Sequence, residues 1–288
     1  MPQSTFAIIG GDLRNLALAS LLREDGKTVV LCGFDKQTGA PERPIGEIIA
    51  AADIILGATP CLSSPDTLNA PYAAERIDAD AFISKLKRKQ ILIAGRIPAT
   101  FAEAAAARGC LVRDILEREE MAILNAIPTA EGAIQLALER MKTTLHASNA
   151  LVLGYGKIGR ILAKMLQGIG AQVSVAARNP RDAAQLRSFG HMHIPFTALD
   201  TALPKMDVIF NTVPHILLDA HNLRYVAKHC VLIDMASRPF GIDFEASKAE
   251  GLEVVWAPSL PGRVAPVTAA QFIKETVYAI LEETEALQ

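Results

Sequence analysis

The chain has 288 residues, 50% hydrophobic and 21% charged, with a formal net charge of −2. That is ordinary soluble globular composition, long enough for two domains, and its near-neutral balance gives no electrostatic case for nucleic acid or an anionic membrane. No apolar run reaches the roughly 18 residues of a membrane span, and Met1 to Phe6 lacks the basic-then-apolar build of a secretion signal.

Thr5 to Ile9 reads as a short apolar strand, followed by Gly10-Gly-Asp-Leu-Arg14 and a helix carrying Leu16, Leu18, Ala19, Leu21 and Leu22. Thr28 to Cys32 reads as the next strand. Asp53 to Ala58, Gln90 to Ala94 and Cys110 to Arg113 continue the series, with an Ala-rich helix over Phe101 to Arg108. Residues 1–125 are therefore expected to form a parallel α/β domain on the substrate side, completed by a C-terminal helix over 267–288. Ligands of such sheets lie beyond the carboxyl ends of the strands, which makes Arg14 a candidate anion contact. Asp12 suits a helix N-cap equally well. Gly57 to Ala70 reads as a polar loop of the kind that lines a cleft. The chain is then expected to break at Ile127-Pro128 between two connector helices. Thr129 and Glu131 would sit at the N-terminus of the second, either complementing its dipole or touching nicotinamide or substrate.

The most informative stretch opens the second domain, expected over 126–266. Leu151 to Leu153 runs into Gly154-Tyr155-Gly156-Lys157-Ile158-Gly159, and Ile158, Ile161, Leu162, Met165 and Leu166 continue as an amphipathic helix. Strand, G-x-G-x-x-G turn and helix together form a dinucleotide-binding fingerprint. The first glycine makes the turn, the second admits a pyrophosphate, the third lets helix and strand pack, and the helix N-terminus faces the anion. A second strand, Gln172 to Ala176, strengthens the reading. An NAD site usually has a carboxylate at the end of that strand, roughly 20 residues past the motif. Here the chain reads Ala176-Ala177-Arg178-Asn179-Pro180-Arg181, with no carboxylate before Asp182. Arg178 and Arg181 suit a 2′-phosphate by charge and forked hydrogen bonding, so NADP is expected over NAD.

Further strands are read near Met192 and over Asp207–Val213, Cys230–Met235 and Glu253–Ala257, giving six in the order 3-2-1-4-5-6. The loops after the fourth and fifth would flank the nicotinamide, bringing Asn211, Thr212, Ser237 and Arg238 near the reacting carbon, with Val213 and Pro214 as further cofactor contacts. Arg238 is the first candidate for holding a substrate carboxylate. Ser237 could bond substrate or cap a turn, and His215 could relay a proton. Arg263 is a second clamp if the Gly262 turn faces the cleft. Val267 to Leu287 reads as a last amphipathic helix. Four separated cysteines, with no C-x-x-C, read as reduced buried thiols, and His191 and His193 lack the further ligands a metal site needs.

Gly10-Gly-Asp-Leu-Arg14, Ile127-Pro-Thr-Ala-Glu-Gly132, Gly154 to Gly159, Asn211-Thr-Val-Pro214, Ala236-Ser-Arg-Pro239, Ala257-Pro-Ser-Leu-Pro-Gly262 and Val264-Ala-Pro266 occur in this order. The set resembles the dipicolinate synthase A-chain family over nearly the whole sequence. One departure is Phe240-Gly241, where the family pattern implies two glycines. The resemblance implies NADP-linked oxidation of a dihydrodipicolinate-type precursor, derived from 4-hydroxy-tetrahydrodipicolinate, to dipicolinate. It also implies the flavoprotein-like B chain of dipicolinate synthase as partner, and the mother-cell cytoplasm of a sporulating bacterium. A dicarboxylate substrate would use two cationic clamps, for which Arg14, Arg238 and Arg263 are available. Two other readings stay open: an NADP-dependent dehydrogenase of 2-hydroxy acids or amino acids, and a non-catalytic NADP-binding protein. The oligomeric state, a homo-oligomer included, is not legible.

Overall fold

The computed structural model describes residues 4–39 and 44–286. In chain order the elements of the first part are β1 (Thr5–Ile9), α1 (Leu13–Glu24), β2 (Thr28–Cys32), α2 (Asp35–Thr38), α3 (Ile45–Ala51), β3 (Ile54–Leu56), β4 (Leu62–Ser64), β5 (Thr67–Leu68), α4 (Ala79–Lys85), β6 (Ile91–Ala94), α5 (Ala99–Ala107) and β7 (Leu111–Asp114). A long helix, α6 (Glu119–Arg140), precedes β8 (Asn149–Leu153), α7 (Lys157–Ile169), β9 (Gln172–Ala176), α8 (Pro180–Ser188), β10 (Met192–Ile194), α9 (Leu199–Ala202), β11 (Val208–Asn211) and α10 (Ala220–Leu223). The rest is β12 (Val231–Asp234), α11 (Phe244–Ala249), β13 (Val254–Trp256), α12 (Leu260–Val264) and α13 (Pro266–Ala286). Packing separates the chain into one unit of Met1–Leu124 with Ala265–Gln288 and another of Asn125–Val264.

In the first unit β2-β1-β3-β6-β7 form a parallel sheet. Its central strands are apolar throughout because both faces are covered. On one face Phe6, Ile8 and Ile54 meet Leu18 and Leu22 of α1 and Ala270, Ile273, Val277 and Ile280 of α13. On the other, Ala7, Ile55 and Leu92 meet Ile48, Ile49, Phe82 and Phe101. At about 1.5–3 kcal/mol per fully buried large apolar side chain, these two layers are the main stabilising contribution.

The second unit is a six-stranded parallel sheet in the order β10-β9-β8-β11-β12-β13, the expected 3-2-1-4-5-6. Leu162, Ala163 and Leu166 of α7 and Ala130, Ala133 and Ala137 of α6 cover one face. Leu199, Leu203, Leu218, Leu223 and Leu252 cover the other. Gly170, at φ 93°, ends α7 with a left-handed cap. The predicted fold class, two α/β units with parallel sheets, is what the structure contains.

Three expectations need correction. First, the chain does not break at Ile127-Pro128: α6 is one continuous helix with Pro128 inside it. An interior proline costs about 3 kcal/mol, partly from a missing backbone bond. Here the buried alanine face holds the helix together, and the Thr129 hydroxyl donates to the Asn125 carbonyl at 2.7 Å. Thr129 and Glu131 therefore lie mid-helix, and the dipole argument passes to Glu119 and Glu120 in the first turn. By length and composition α6 would also pass as a membrane span, but its buried alanines make it a core helix. Second, Gly57 to Ala70 is not all loop, because β4 and β5 pair there as a small antiparallel hairpin. Third, Gly262 lies within the short helix α12 rather than in a turn. The predicted end of the last helix, Leu287, lies outside the described residues.

Candidate functional site

The strand registers bring five strand ends to one edge of the second sheet. Leu153 aligns with Ala176 and with Asn211, Asn211 aligns with Asp234, and Asp234 aligns with Trp256. The loops leaving these positions hold nearly every residue singled out in this unit, because ligand sites of such sheets form at the carboxyl edge.

Gly154 has φ 97°, and a Cβ there would strike Thr212 Oγ1 and Val213 Cγ2. A Cβ on Gly159 would strike the Gly154 carbonyl, so helix and turn touch backbone to backbone. Gly156 is different, with open space where its side chain would be. It is also the N-cap of α7, and no side chain caps that helix end. The N-terminus of α7 thus opens onto a cradle that fits a pyrophosphate. Tyr155 is buried and Lys157 exposed beside it; Ile158 is half-buried at the start of α7.

At the end of β9, Ala176 and Ala177 are buried and offer no carboxylate. Arg178 and Arg181 are both exposed. The Asn179 side chain accepts from the Arg181 backbone N–H at 2.9 Å and caps α8. The nearest acid, Asp182, pairs with Arg160 at 3.2 Å. His193 reaches the Ala177 carbonyl with Nε2 at 3.0 Å, and burial pushes the pKa of His191 down. Cys32, Cys61, Cys110 and Cys230 are all buried and none forms a disulfide, as expected of reduced thiols. Burial raises Cys61 and Cys230 to about 12 and Cys110 to about 11.

After β11 the structure separates residues the sequence groups together. Asn211 is fully buried; its amide donates to Asp234 Oδ1 at 2.8 Å and to the Val213 carbonyl at 3.0 Å. Its carbonyl oxygen accepts from the Val213 N–H. Asn211 therefore shapes the loop from below. Thr212 bonds the Leu153 carbonyl at 2.8 Å, tying this loop to the end of β8. Pro214 and His215 are exposed.

The loop after β12 is built on a residue that strand patterning does not flag. Asp234 is fully buried, and its carboxylate accepts four hydrogen bonds. The donors are Asn211 and the N–H groups of Ala236, Gly241 and Ile242. Gly241 has no room for a side chain because Asn211 fills the space. Phe240, where the family pattern implies a glycine, has φ 72°. A side chain in that left-handed region costs roughly 1–2 kcal/mol. Its ring meets Phe244 at 5.0 Å and Trp256 at 5.4 Å, both edge-on. Such pairs contribute about 0.5–1.5 kcal/mol each and so offset the strain. The ring contacts thus hold Phe240 in a backbone conformation that glycine adopts without strain. Ser237 and Arg238 are exposed on this loop; the Ser237 carbonyl closes a turn onto the Phe240 N–H, and the Arg238 guanidinium lies 5.5 Å from the Phe240 ring centre.

The remaining predicted contacts differ in availability. Arg263 is exposed near the end of α12, and Glu131 is exposed on α6 while Thr129 is buried. Arg14, in the first unit, is 5% exposed. Its Nε and Nη2 bond Asp12, the N-cap of α1, and Nη2 also donates to the Thr59 carbonyl at 2.8 Å. Sequence reasoning missed Asp234 and Arg160. Their signal was present only as an Asp at a strand end in register with an Asn, and an Arg immediately after the third motif glycine.

Comparison with known proteins agrees with this architecture. Residues 5–116 match the model of the N-terminal domain of the dipicolinate synthase A chain, and residues 124–240 match that of the D-isomer specific 2-hydroxyacid dehydrogenase NAD binding domain. The dipicolinate synthase A chain of Bacillus subtilis is 31% identical over 287 residues, covering 97% of this chain and 96% of that one. The crystal structure of the dipicolinate synthase A chain from Bacillus halodurans superposes with a TM-score of 0.88 at 28% identity, over 98% of this chain and 99% of the other. The crystal structure of the Bacillus subtilis protein does so with a TM-score of 0.86 at 30% identity, over 99% and 98%. A glycine cradle on a 3-2-1-4-5-6 sheet, preceded by a first domain of this particular type, leaves one assignment: the protein belongs to the dipicolinate synthase A-chain family, with a nicotinamide dinucleotide-binding domain as its second half.

Proposed function

We propose that the protein oxidises a dihydrodipicolinate-type precursor, derived from 4-hydroxy-tetrahydrodipicolinate, to dipicolinate with NADP as the oxidant. The observation that carries the cofactor choice is the pair of exposed arginines, Arg178 and Arg181, beside a strand end without a carboxylate. The cofactor would be held by the Gly156 cradle and the first turn of α7, and when bound it supplies hydride-accepting chemistry. The ring loses a hydride and a proton and becomes aromatic, so the protein's tasks are positioning and proton handling.

Arg238 and Arg263 have exposed guanidinium groups suited to the two substrate carboxylates. Arg14 is already committed to Asp12 and Thr59, which favours the other two as clamps. Ser237 would bond the substrate beside Arg238, and His215 would take the proton. Among the described residues His215 has no carboxylate partner, which weighs against a 2-hydroxy-acid mechanism built on a His–carboxylate pair. The flavoprotein-like B chain of dipicolinate synthase as partner, and a mother-cell cytoplasmic setting during sporulation, belong to the same reading.

The test is to incubate the purified protein with NADP and freshly made 4-hydroxy-tetrahydrodipicolinate and follow dipicolinate and NADPH together. Both should rise in equal amounts. Dipicolinate formed only after a partner protein is added would show that this polypeptide has no independent activity. Replacing Arg238 by Ala should lower turnover at fixed substrate at least tenfold, as loss of a charged bidentate contact of about 1.5–3 kcal/mol requires. NADPH binding should change little; equal losses in both would remove Arg238 from the substrate site.

A further inference from the structure

Between β9 and the end of α8, over Ala176 to Ser188, the chain carries three arginines and one acid, Asp182. Asp182 lies in the first turn of α8, where a carboxylate complements the helix dipole. The same position is a liability for a cofactor with a phosphate on its ribose. Asp182 follows Arg178 by four residues, and an uncompensated carboxylate there would repel a phosphate monoester of nearly two negative charges.

Arg160 removes the conflict. It stands directly after the last motif glycine, and its guanidinium reaches two ways. Nη2 pairs with Asp182 Oδ1 at 3.2 Å, and Nε donates to the Tyr155 carbonyl at 3.0 Å. The guanidinium carbon lies 5.0 Å from the centre of the Tyr155 ring. One planar group, fixed at both ends, thus ties the glycine loop to α8. The Asp182 side chain is only 20% exposed in this arrangement.

We propose that Arg160 is a positioning residue for cofactor selectivity: it neutralises Asp182, so that α8 keeps its first-turn acid while Arg178 and Arg181 stay unopposed for a 2′-phosphate. This rests on the NADP reading above and deepens it. The effect is one of charge, so it acts on NADPH and hardly on NADH, which has a neutral hydroxyl at that carbon.

The experiment measures dissociation constants of the full-length protein for NADPH and for NADH in wild type, Arg160→Gln, Asp182→Asn and the double variant. Arg160→Gln should raise the NADPH constant about fivefold more than the NADH constant, the size of a charge repulsion across roughly 8 Å of water. Asp182→Asn in that background should restore the ratio of the two constants, and Asp182→Asn alone should not lower NADPH affinity. Raised salt should shrink the Arg160→Gln effect. If Arg160→Gln weakens both cofactors equally, or if Asp182→Asn fails to restore the ratio, Arg160 acts only on the shape of the glycine loop and the proposal falls. A wild type that binds NADH more tightly would overturn the NADP reading. The change in ratio from wild type to Arg160→Gln would still decide the role of Arg160.

Discussion

Asp234 shows how much of the candidate site depends on a side chain buried beneath it. Its two oxygens hold Asn211 and three backbone N–H groups, and through them both loops at the centre of the carboxyl edge. Asp234→Asn is nearly isosteric but puts an amino group where an oxygen accepts. Whichever way the amide turns, two donors lose their acceptor. At about 1–3 kcal/mol per unsatisfied buried group, the variant should lose roughly 2–4 kcal/mol of stability and several degrees of melting temperature. A melt superimposable on wild type would mean the carboxylate does not hold these loops. At this scale the sequence is legible where the backbone itself imposes a residue type. Gly154 and Gly159 sit where a Cβ collides, and that is why their spacing, between an apolar strand and an amphipathic helix, found them. Arg238 and Arg263 could be proposed from charge, but their settings, a loop for one and the short helix α12 for the other, could not. No residue pattern encodes that Asn211 turns inward to Asp234 while its neighbour Thr212 bonds a different strand.

At the scale of elements, the parallel strands are legible because both faces are buried and the runs stay apolar. The helix α6 is misread because proline is a local signal and packing a tertiary one. About 3 kcal/mol of proline cost is outweighed by an alanine face buried along the second unit's core. The hairpin β4–β5 is misread for the opposite reason: Ser63, Ser64 and Thr67 carry loop composition, and only the pairing reveals strands. The helix α13 is legible from its apolar stripe, but not its anchor. Lys274 pairs with Asp25 at 2.9 Å, and the Tyr278 hydroxyl donates to the same carboxylate at 2.7 Å. Lys274 first, then Tyr278, hold the Asp25 pKa below its ordinary value. A carboxylate with a lowered folded pKa adds stability that is present above the unfolded value. It is lost as pH falls through the folded one. Asp25→Asn should therefore cost little at low pH and more at neutral pH, flattening the acid limb of the stability curve. The measurement is denaturant unfolding at a series of pH values. A variant displaced from wild type by a constant amount at every pH would exclude this linkage.

At the scale of the whole molecule, two α/β patterns in succession, and only one of them with the glycine fingerprint, were enough to read the fold class from the residues. The choice between cofactors is a different kind of property, because it depends on charges brought together from β9, α7 and α8. It has a global consequence that needs no substrate. A ligand that binds only the folded protein stabilises it by RT ln(1 + [L]/Kd), about 2.7 kcal/mol at a hundredfold excess over the dissociation constant. NADPH should therefore raise the melting temperature by several degrees, and NADH at the same concentration by less. Arg178→Ala should bring the NADPH shift down toward the NADH shift and leave the NADH shift as it was, because only the phosphate loses its partner. Equal shifts for both cofactors in the wild-type protein would mean that the exposed arginines after β9 do not read the ribose phosphate. An Arg178→Ala protein that loses both shifts together would mean that this side chain serves the adenosine half as a whole.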